Sequence, residues 1–408
     1  MAKPSLAEIA IVSGARTPMS EWIGGKRGDG QQGGALASLS AIELGAVAAR
    51  AAIERAGISP EQIDHVIMGN ALQTSADALY GARHVALKAG IPRPVPALTV
   101  NRLCGSGLQS VISAAQQIQT GEATWVVAGG MENLSQAPHV IRGARGGLKL
   151  GQGQLEDSLM AGLRDSYCGL FMAQTSDNLA RKYGLTREAQ DTFALRSHTL
   201  ANTATNNGRF AEEIVPIEVK AGRGTSRIVD KDDHLFPSTT LEGLMKLPPA
   251  FGPESFVTAG NASGIVDGAA AVVVTSLADA KATGRTPMGV IRGYASVGVD
   301  PDIMGIGPAP AIRAAAERAG IKVEDIVLFE INEAFAGQFL AVEKELSLDR
   351  EKVNVNGGAI GLGHPLGATG TRLIYTLLIE MAKRNKRWGA ASACIGGGQG
   401  IAMIVERS

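Results

Sequence analysis

Apolar residues recur at helical spacing in two stretches that each follow a glycine-rich turn. Leu108, Val111, Ile112, Ala115 and Ile118 share one face of the first, and Leu373, Ile374, Leu377, Leu378 and Met381 one face of the second. Short runs rich in β-branched and aliphatic residues read as buried strands: Val66-Ile-Met-Gly, Thr124-Trp-Val-Val-Ala, Val272-Val-Val-Thr, Ile326-Val-Leu-Phe-Glu-Ile and Gly400-Ile-Ala-Met-Ile-Val. Strand and helix alternate along both ends of the chain, which predicts an α/β protein with mixed, largely parallel sheets.

The pattern is doubled. Ala51–Ile63 and Ala314–Ile326 agree at nine of 13 positions at a constant offset of 263. Each copy ends a helical stretch (44–55 and 312–318) at a glycine, as helix C-termini often do, and each leads into a strand-like run. Further on, Leu98-Thr-Val-Asn enters the turn at Cys104, and Val353-Asn-Val-Asn enters the turn at His364. Duplication therefore predicts two similar halves, residues 1–134 completed by 266–286, and residues 287–408. Between them, 135–265 differs in character. It opens on Arg142-Gly-Ala-Arg-Gly-Gly-Leu-Lys-Leu-Gly, has a helical middle over 173–206, and ends in loops containing Pro237, Pro248, Pro249 and Pro253. This segment reads as an inserted loop domain covering a site built by the halves.

Composition narrows the function. The 408 residues carry 39 Lys plus Arg against 39 Asp plus Glu, so a general attraction to nucleic acid has no support, and an anionic ligand needs a local site. Three cysteines argue against a disulfide framework and for a reducing compartment. The opening Met1-Ala-Lys-Pro-Ser-Leu-Ala-Glu lacks a leader pattern, and no run approaches ~18 apolar residues; a cytoplasmic chain without a membrane span is expected.

Chemistry concentrates at four places. Cys104, in Asn101-Arg-Leu-Cys-Gly-Ser-Gly, follows a strand and opens a helix, where free amides and partial positive charge lower a thiol's pKa and can hold an oxyanion. A buried structural cysteine is the alternative there. His364, in Gly363-His-Pro-Leu-Gly, stands at a rigid turn from which an imidazole can take a thiol's proton, or simply cap a helix. Cys394 ends a strand before Ile395-Gly-Gly-Gly-Gln-Gly, either a tight hairpin or a nest of amides beside a second thiol suited to acid–base work next to a carbonyl. Asn332-Glu-Ala-Phe follows a buried strand; Asn332 can orient a water or donate to an oxyanion, or be a helix cap. Cys168 reads as structural. Neither a zinc pairing nor a phosphate-binding P-loop is present.

Taken in order, Cys104-Gly-Ser, Asn332-Glu-Ala-Phe, Gly363-His-Pro and Cys394-Ile-Gly resemble the active-site fingerprints of the thiolase family, and the resemblance runs along essentially the whole chain. It implies duplicated thiolase-type α/β domains with mixed five-stranded sheets, layered α-β-α-β-α, plus the inserted loop domain. It implies Cys104 as acyl-carrying nucleophile, His364 as its base, Cys394 as acid and base at the α-carbon, and oxyanion sites from His364 with Asn332 and from the amides of Cys104 and Gly396. Coenzyme A enters as substrate, with no permanently bound cofactor. Leu247, Ala250, Phe251, Ala259 and Ser263 would meet CoA, with Phe171, Met172, Met304, Ala334 and Phe335 nearer the reacting end. Two positions depart from family patterns. Phe171 stands where acetoacetyl-specific members carry histidine, which points to 3-ketoacyl-CoA thiolases of broader range, and Phe236 stands where many carry an arginine, with Arg223, Arg227 or Lys231 as substitutes. A decarboxylating condensing enzyme needs a different histidine set, and a non-catalytic acyl carrier needs none of the four fingerprints. Family members are homodimers or homotetramers, and the stretch 142–153 resembles the loop that joins dimers.

Overall fold

The computed structural model describes residues 7–23, 34–222 and 224–408. The first six residues read for a leader, and Arg223, lie outside these. The principal elements of the first half are strand β1 (Ile9–Arg16), helix α1 (Ala41–Ala56), β2 (His65–Gly69), α2 (Gly81–Lys88), β3 (Ala97–Val100), α3 (Ser106–Thr120) and β4 (Trp125–Glu132). The inserted segment carries α4 (Met172–Tyr183) and α5 (Arg187–Asn206), after which β5 (Val266–Ser276) returns to pair with both β1 and β4. The second half follows with β6 (Gly289–Gly298), α6 (Pro308–Ala319), β7 (Leu328–Ile331), α7 (Ala336–Leu346), α8 (Leu366–Lys383), β8 (Trp388–Ile395) and β9 (Gln399–Glu406).

Sequence duplication becomes structural duplication. β2 and β7 begin 263 residues apart, as do β4 and β8. The parallel pairing of β2 with β4 sets His65 opposite Val126, and that of β7 with β8 sets Leu328 opposite Gly389, so even the register repeats. The helices before these strands stop alike: Gly57 and Gly320 take left-handed φ of 65° and 71°, where a side chain would be strained. Ser40 and Glu43 close a capping box at the start of α1.

Strand order is β7-β8-β9-β6-β1-β5-β4-β2-β3, with Ser20–Glu21 added beside β5. The sheets are mixed but not largely parallel as expected, because the returning strands β1, β5, β6 and β9 pair antiparallel and only β2–β3, β2–β4 and β7–β8 run parallel. β1 joins the halves through three residue pairs with β6. The second half fills its fifth position differently. Val353 makes a single bridge to Phe329, and Asn354, at φ 46°, supplies the next rung from its side chain: its Oδ1 accepts from Ile331 N (2.9 Å) and its Nδ2 donates to Ile331 O (2.8 Å).

Apolar faces sort the elements into layers. α1 and α2 bury Leu44, Ala48, Val85 and their neighbours against one sheet, and α6 and α7 bury Ile312, Phe339 and Leu340 against the other. Between the sheets lie α3 and α8, whose Leu108, Val111, Ile112, Leu373, Ile374 and Leu377 form a shared core. α8 is buried on every side from Gly367 to Met381, as a central-layer helix must be. The two helices meet at glycines: a Cβ on Gly107 would lie 2.5 Å from Thr371 N, and one on Gly370 2.3 Å from Leu108 N. This approach brings together the N-terminal ends of α3 and α8, and with them the turns holding Cys104 and His364. Among the described residues no helix is long and apolar enough to cross a membrane.

Candidate active site

The turn that presents Cys104 is built by its own side chains. Asn101 Oδ1 accepts from Leu103 N (2.9 Å), and Ser106 Oγ accepts from Arg102 N (2.8 Å) and donates to Leu103 O (2.7 Å). Leu103 is held at φ 46°, an unusual conformation for a branched residue and one commonly found at functional turns. Gly105 lets this turn press on the hairpin after β8, since a Cβ there would lie 2.5 Å from the Ile395 side chain. Arg102 Nη1 donates across the seam to Gln399 Oε1 (3.1 Å). The Gly396 amide lies close enough to the Cys104 sulfur to favour its thiolate.

Cys104, His364 and Cys394 line one cavity of about 190 Å³. Phe171, Met172, Phe251, Ser263, Met304, Ala334 and Phe335 also line it. Asn332 lies buried behind His364, its Nδ2 3.3 Å from Nε2 of the imidazole. Leu247, Ala250 and Ala259 are not brought into the lining. Leu247 packs beside the core under α7, and Ala250 and Ala259 are exposed. The aliphatic wall made by Leu134, Leu159, Met160, Leu163, Ile265 and Leu366 was not singled out from sequence, although the spacing of Leu159 and Leu163 just upstream of Phe171 was a usable signal. Phe171 sets its ring, tilted by 47°, 5.5 Å from that of Phe251 and lies beneath the Arg164 guanidinium at 5.9 Å. Phe236 packs edge-on against His234 and His198, while Arg227 and Lys231 are exposed. Cys168 is a free, half-buried thiol outside the lining.

Electrostatics correct one expectation. The Cys104 thiol is not acidified by its helix; burial pushes it up to about 11, against the help of the Gly396 and Cys104 amides, and the Glu132 carboxylate adds to the rise. Cys394 is raised further, by burial and by the neighbouring Cys104. His364 goes the other way, down to about 3, because burial and the Arg372 charge both disfavour an imidazolium. The resting site therefore holds two thiols and a neutral imidazole, so thiolate forms only as its proton moves to a base.

Residues 9–278 match the model of the thiolase N-terminal domain and residues 285–407 that of the thiolase C-terminal domain. The chain belongs to the thiolase family. It is 49% identical to an acetyl-CoA acetyltransferase of Cupriavidus necator over 98% of this chain and 100% of that one. It is 48% identical to the human mitochondrial 3-ketoacyl-CoA thiolase over 98% of each. The crystal structure of that human thiolase in complex with CoA superposes with a TM-score of 0.93, at 47% identity and 98% coverage of both chains.

Two buried carboxylates brace this thiolase site, and neither role was legible as a motif. Glu132, at the end of β4, accepts from Asn70 Nδ2 (3.0 Å), Ala71 N (3.1 Å), Leu72 N (2.9 Å) and Gly367 N (2.7 Å). It thus ties the first half to the start of α8, at the cost of a carboxyl pushed up to about 7 by burial. Glu333 accepts from Ser197 Oγ (2.6 Å), Asn354 Nδ2 (2.8 Å) and Ile360 N (3.2 Å), which fixes the inserted α5 to the loops flanking His364. Among the described residues no cluster of three or more His, Cys, Asp or Glu is arranged to hold a metal.

A pH dependence follows from the buried imidazole. A histidine with a folded pKa below its unfolded value contributes stability that is present above about pH 6.5 and lost as pH falls toward the folded value near 3. Replacing His364 with asparagine is expected to remove part of the acid-induced loss of stability between those limits. Urea midpoints measured at several pH values would show it; parallel pH curves for both proteins would contradict a buried neutral ring.

Proposed function

We propose that the chain catalyses thiolytic cleavage of a 3-oxoacyl-CoA by coenzyme A, and the reverse Claisen condensation, through an acyl group carried on Cys104. The single observation that carries this reading is the convergence of Cys104, His364 and Cys394 on one apolar cavity, with the Gly396 amide beside the Cys104 sulfur. His364 takes the Cys104 proton as sulfur attacks the 3-keto carbon, and negative charge develops on oxygen. The adduct collapses, the C2–C3 bond breaks, and its electron pair passes into the thioester enolate. Cys394, kept protonated by its burial, gives that carbon its proton, and acetyl-CoA departs. The CoA thiol then gives its proton to the Cys394 thiolate and attacks the acyl-Cys104 thioester; the C–S bond to Cys104 breaks, the Cys104 thiolate takes its proton back from His364, and a shortened acyl-CoA leaves.

Both stages place charge on an oxygen that needs fixed donors. The amides of Cys104 and Gly396 suit one oxyanion, and His364 with a water held by Asn332 suits the enolate. CoA would lie along the inserted segment, with Phe251 and Ser263 at the pantetheine and Leu247, Ala250 and Ala259 on the outer surface. The division proposed for the chain is 1–134 with 266–286, the loop domain 135–265, and 287–408, a reading supported by the return of β5 between β1 and β4.

The wholly apolar wall and Phe171 favour a broad range of acyl lengths over acetoacetyl-CoA alone. Each buried methylene adds ~0.8 kcal/mol, about fourfold in affinity. kcat/KM for 3-ketoacyl-CoAs of about four, six and eight carbons should hold or rise, by up to about 15-fold for each two-methylene step. Turnover of acetoacetyl-CoA alone would instead identify a short-chain acetyltransferase. A homodimer or homotetramer is proposed as well: β3 is an open sheet edge with Leu98 exposed, and Leu148 and Leu150 stand out on the 142–153 stretch. Three free thiols favour a reducing, cytoplasmic setting.

A further inference from the structure

Thr369 lies on α8, five residues beyond His364, and is fully buried. Its Oγ1 is 2.6 Å from His364 Nδ1 and 3.0 Å from Pro365 O, the carbonyl one helical turn back. Two oxygens at that separation attract only with a proton between them, and the hydroxyl owns just one. The hydroxyl therefore donates to Pro365 O, and a lone pair is what it offers to Nδ1. Nδ1 must then carry the ring hydrogen. A neutral imidazole has a single N–H, so Nε2 is bare, and it faces the Asn332 amide nitrogen, a donor, at 3.3 Å. Asn332, His364, Thr369 and Pro365 form a chain of hydrogen bonds running in one direction. In the opposite tautomer the hydroxyl would turn to Nδ1, setting the Thr369 and Pro365 oxygens lone pair to lone pair.

We infer that Thr369 is a positioning residue that fixes His364 as the Nδ1–H tautomer and so makes Nε2 the unprotonated nitrogen that receives the Cys104 proton, in exchange for its contact with Asn332. The inference rests on the thiolase reading and names what orients its base. In the step concerned, the Cys104 S–H bond breaks, its proton bonds to the Nε2 lone pair, and the electron pair stays on sulfur. The imidazolium then carries two N–H groups, and Thr369 accepts from the inner one, so the same contact holds the ring before and after transfer. Burial, which keeps the resting ring neutral, makes the tautomer the property that matters.

The test reads the tautomer directly. Full-length protein labelled with ¹⁵N-histidine is examined by NMR at pH 7, with His364→Asn used to assign the His364 signals. The expected spectrum has a protonated Nδ1 and an unprotonated Nε2; a protonated Nε2 or a cationic ring would overturn the inference. Thr369→Val, which keeps the shape and removes the hydroxyl, should shift the tautomer and slow acyl loading of Cys104 about 10–100-fold, the loss of one hydrogen bond to a charged ring. KM for the acyl-CoA should stay within about twofold. Thr369→Ser should restore both the tautomer and the rate, and its behaviour with the wild-type spectrum decides the matter if the valine variant does not fold. Unchanged loading in Thr369→Val would sink the role of Thr369. Absence of any acyl-Cys104 in the wild type would sink the thiolase reading, whatever the tautomer.

Discussion

Cys104→Ser is expected to lose acyl-enzyme formation on the order of 10⁴-fold or more, whereas Cys394→Ala should still load its acyl group and fail at carbon–carbon exchange. The difference follows from where each sulfur sits. Cys104 has the Gly396 amide beside its sulfur and lies in the turn between β3 and α3, so a carbonyl at its sulfur meets donors already in place. Removing a nucleophile from such a group typically abolishes most of the rate enhancement. Cys394 is buried among Met304, Ala334, Met172 and Phe335, where an α-carbon can approach and its sulfur has its own backbone amide but not the second amide that Gly396 gives Cys104. Its loss removes proton transfer, worth about 10²–10⁴-fold, from the carbon-centred step alone. Intact-protein and peptide mass spectrometry after incubation with acetyl-CoA reads the first stage, and exchange of label between acetyl-CoA and acetoacetyl-CoA reads the second. Acyl label found on Cys394 alone would reverse the assignment.

The second large effect is on stability. Arg16, at the end of β1 and fully buried, donates from Nε to Glu213 (2.9 Å) and from both Nη atoms to Asp232 (2.7 and 2.9 Å). Both carboxylates belong to the inserted segment, so this guanidinium fastens the insertion to the first sheet. Glu213 keeps Arg209 if Arg16 is removed, but among the described residues Asp232 keeps only the Met19 N–H. Arg16→Ala should therefore strand a buried negative charge and cost about 3–5 kcal/mol. An early transition in urea, with exposure of the insertion to proteolysis before the rest of the chain, is the expected signature. A single transition at the wild-type midpoint would rule out the fastening role.

Local patterns made much of this molecule readable before its structure. The repeat around Ala51 and Ala314 carried helix, cap and strand together, and all of them keep the same spacing in three dimensions, because each is specified by neighbours within a turn or two. The four fingerprints were readable for the same reason: glycines that permit close approach stand next to the chemistry they serve. Long-range electrostatics was not readable. A helix start beside Cys104 suggested an acidic thiol, but the fold sets that half-buried thiol in a cavity between the halves, and desolvation outweighs the amides. Glu132 and Glu333 looked like ordinary carboxylates, because their partners lie up to 235 and 136 residues away in sequence. The rung that Asn354 supplies from its side chain also escapes pattern reading, since it depends on a left-handed backbone within a strand-like run.

The pairing of α3 with α8 bears on whether either half can stand alone. Each half presents one of these helices on a sheet face that is apolar over Ile9, Val126 and Val274 on one side and Ala393, Ile401 and Met403 on the other. A free-standing half would leave that surface in water, and burial against a copy of itself is the simplest remedy. Either half made on its own is therefore expected to pair with a second copy or to aggregate, and only the joined chain sets a thiol's turn against an imidazole's.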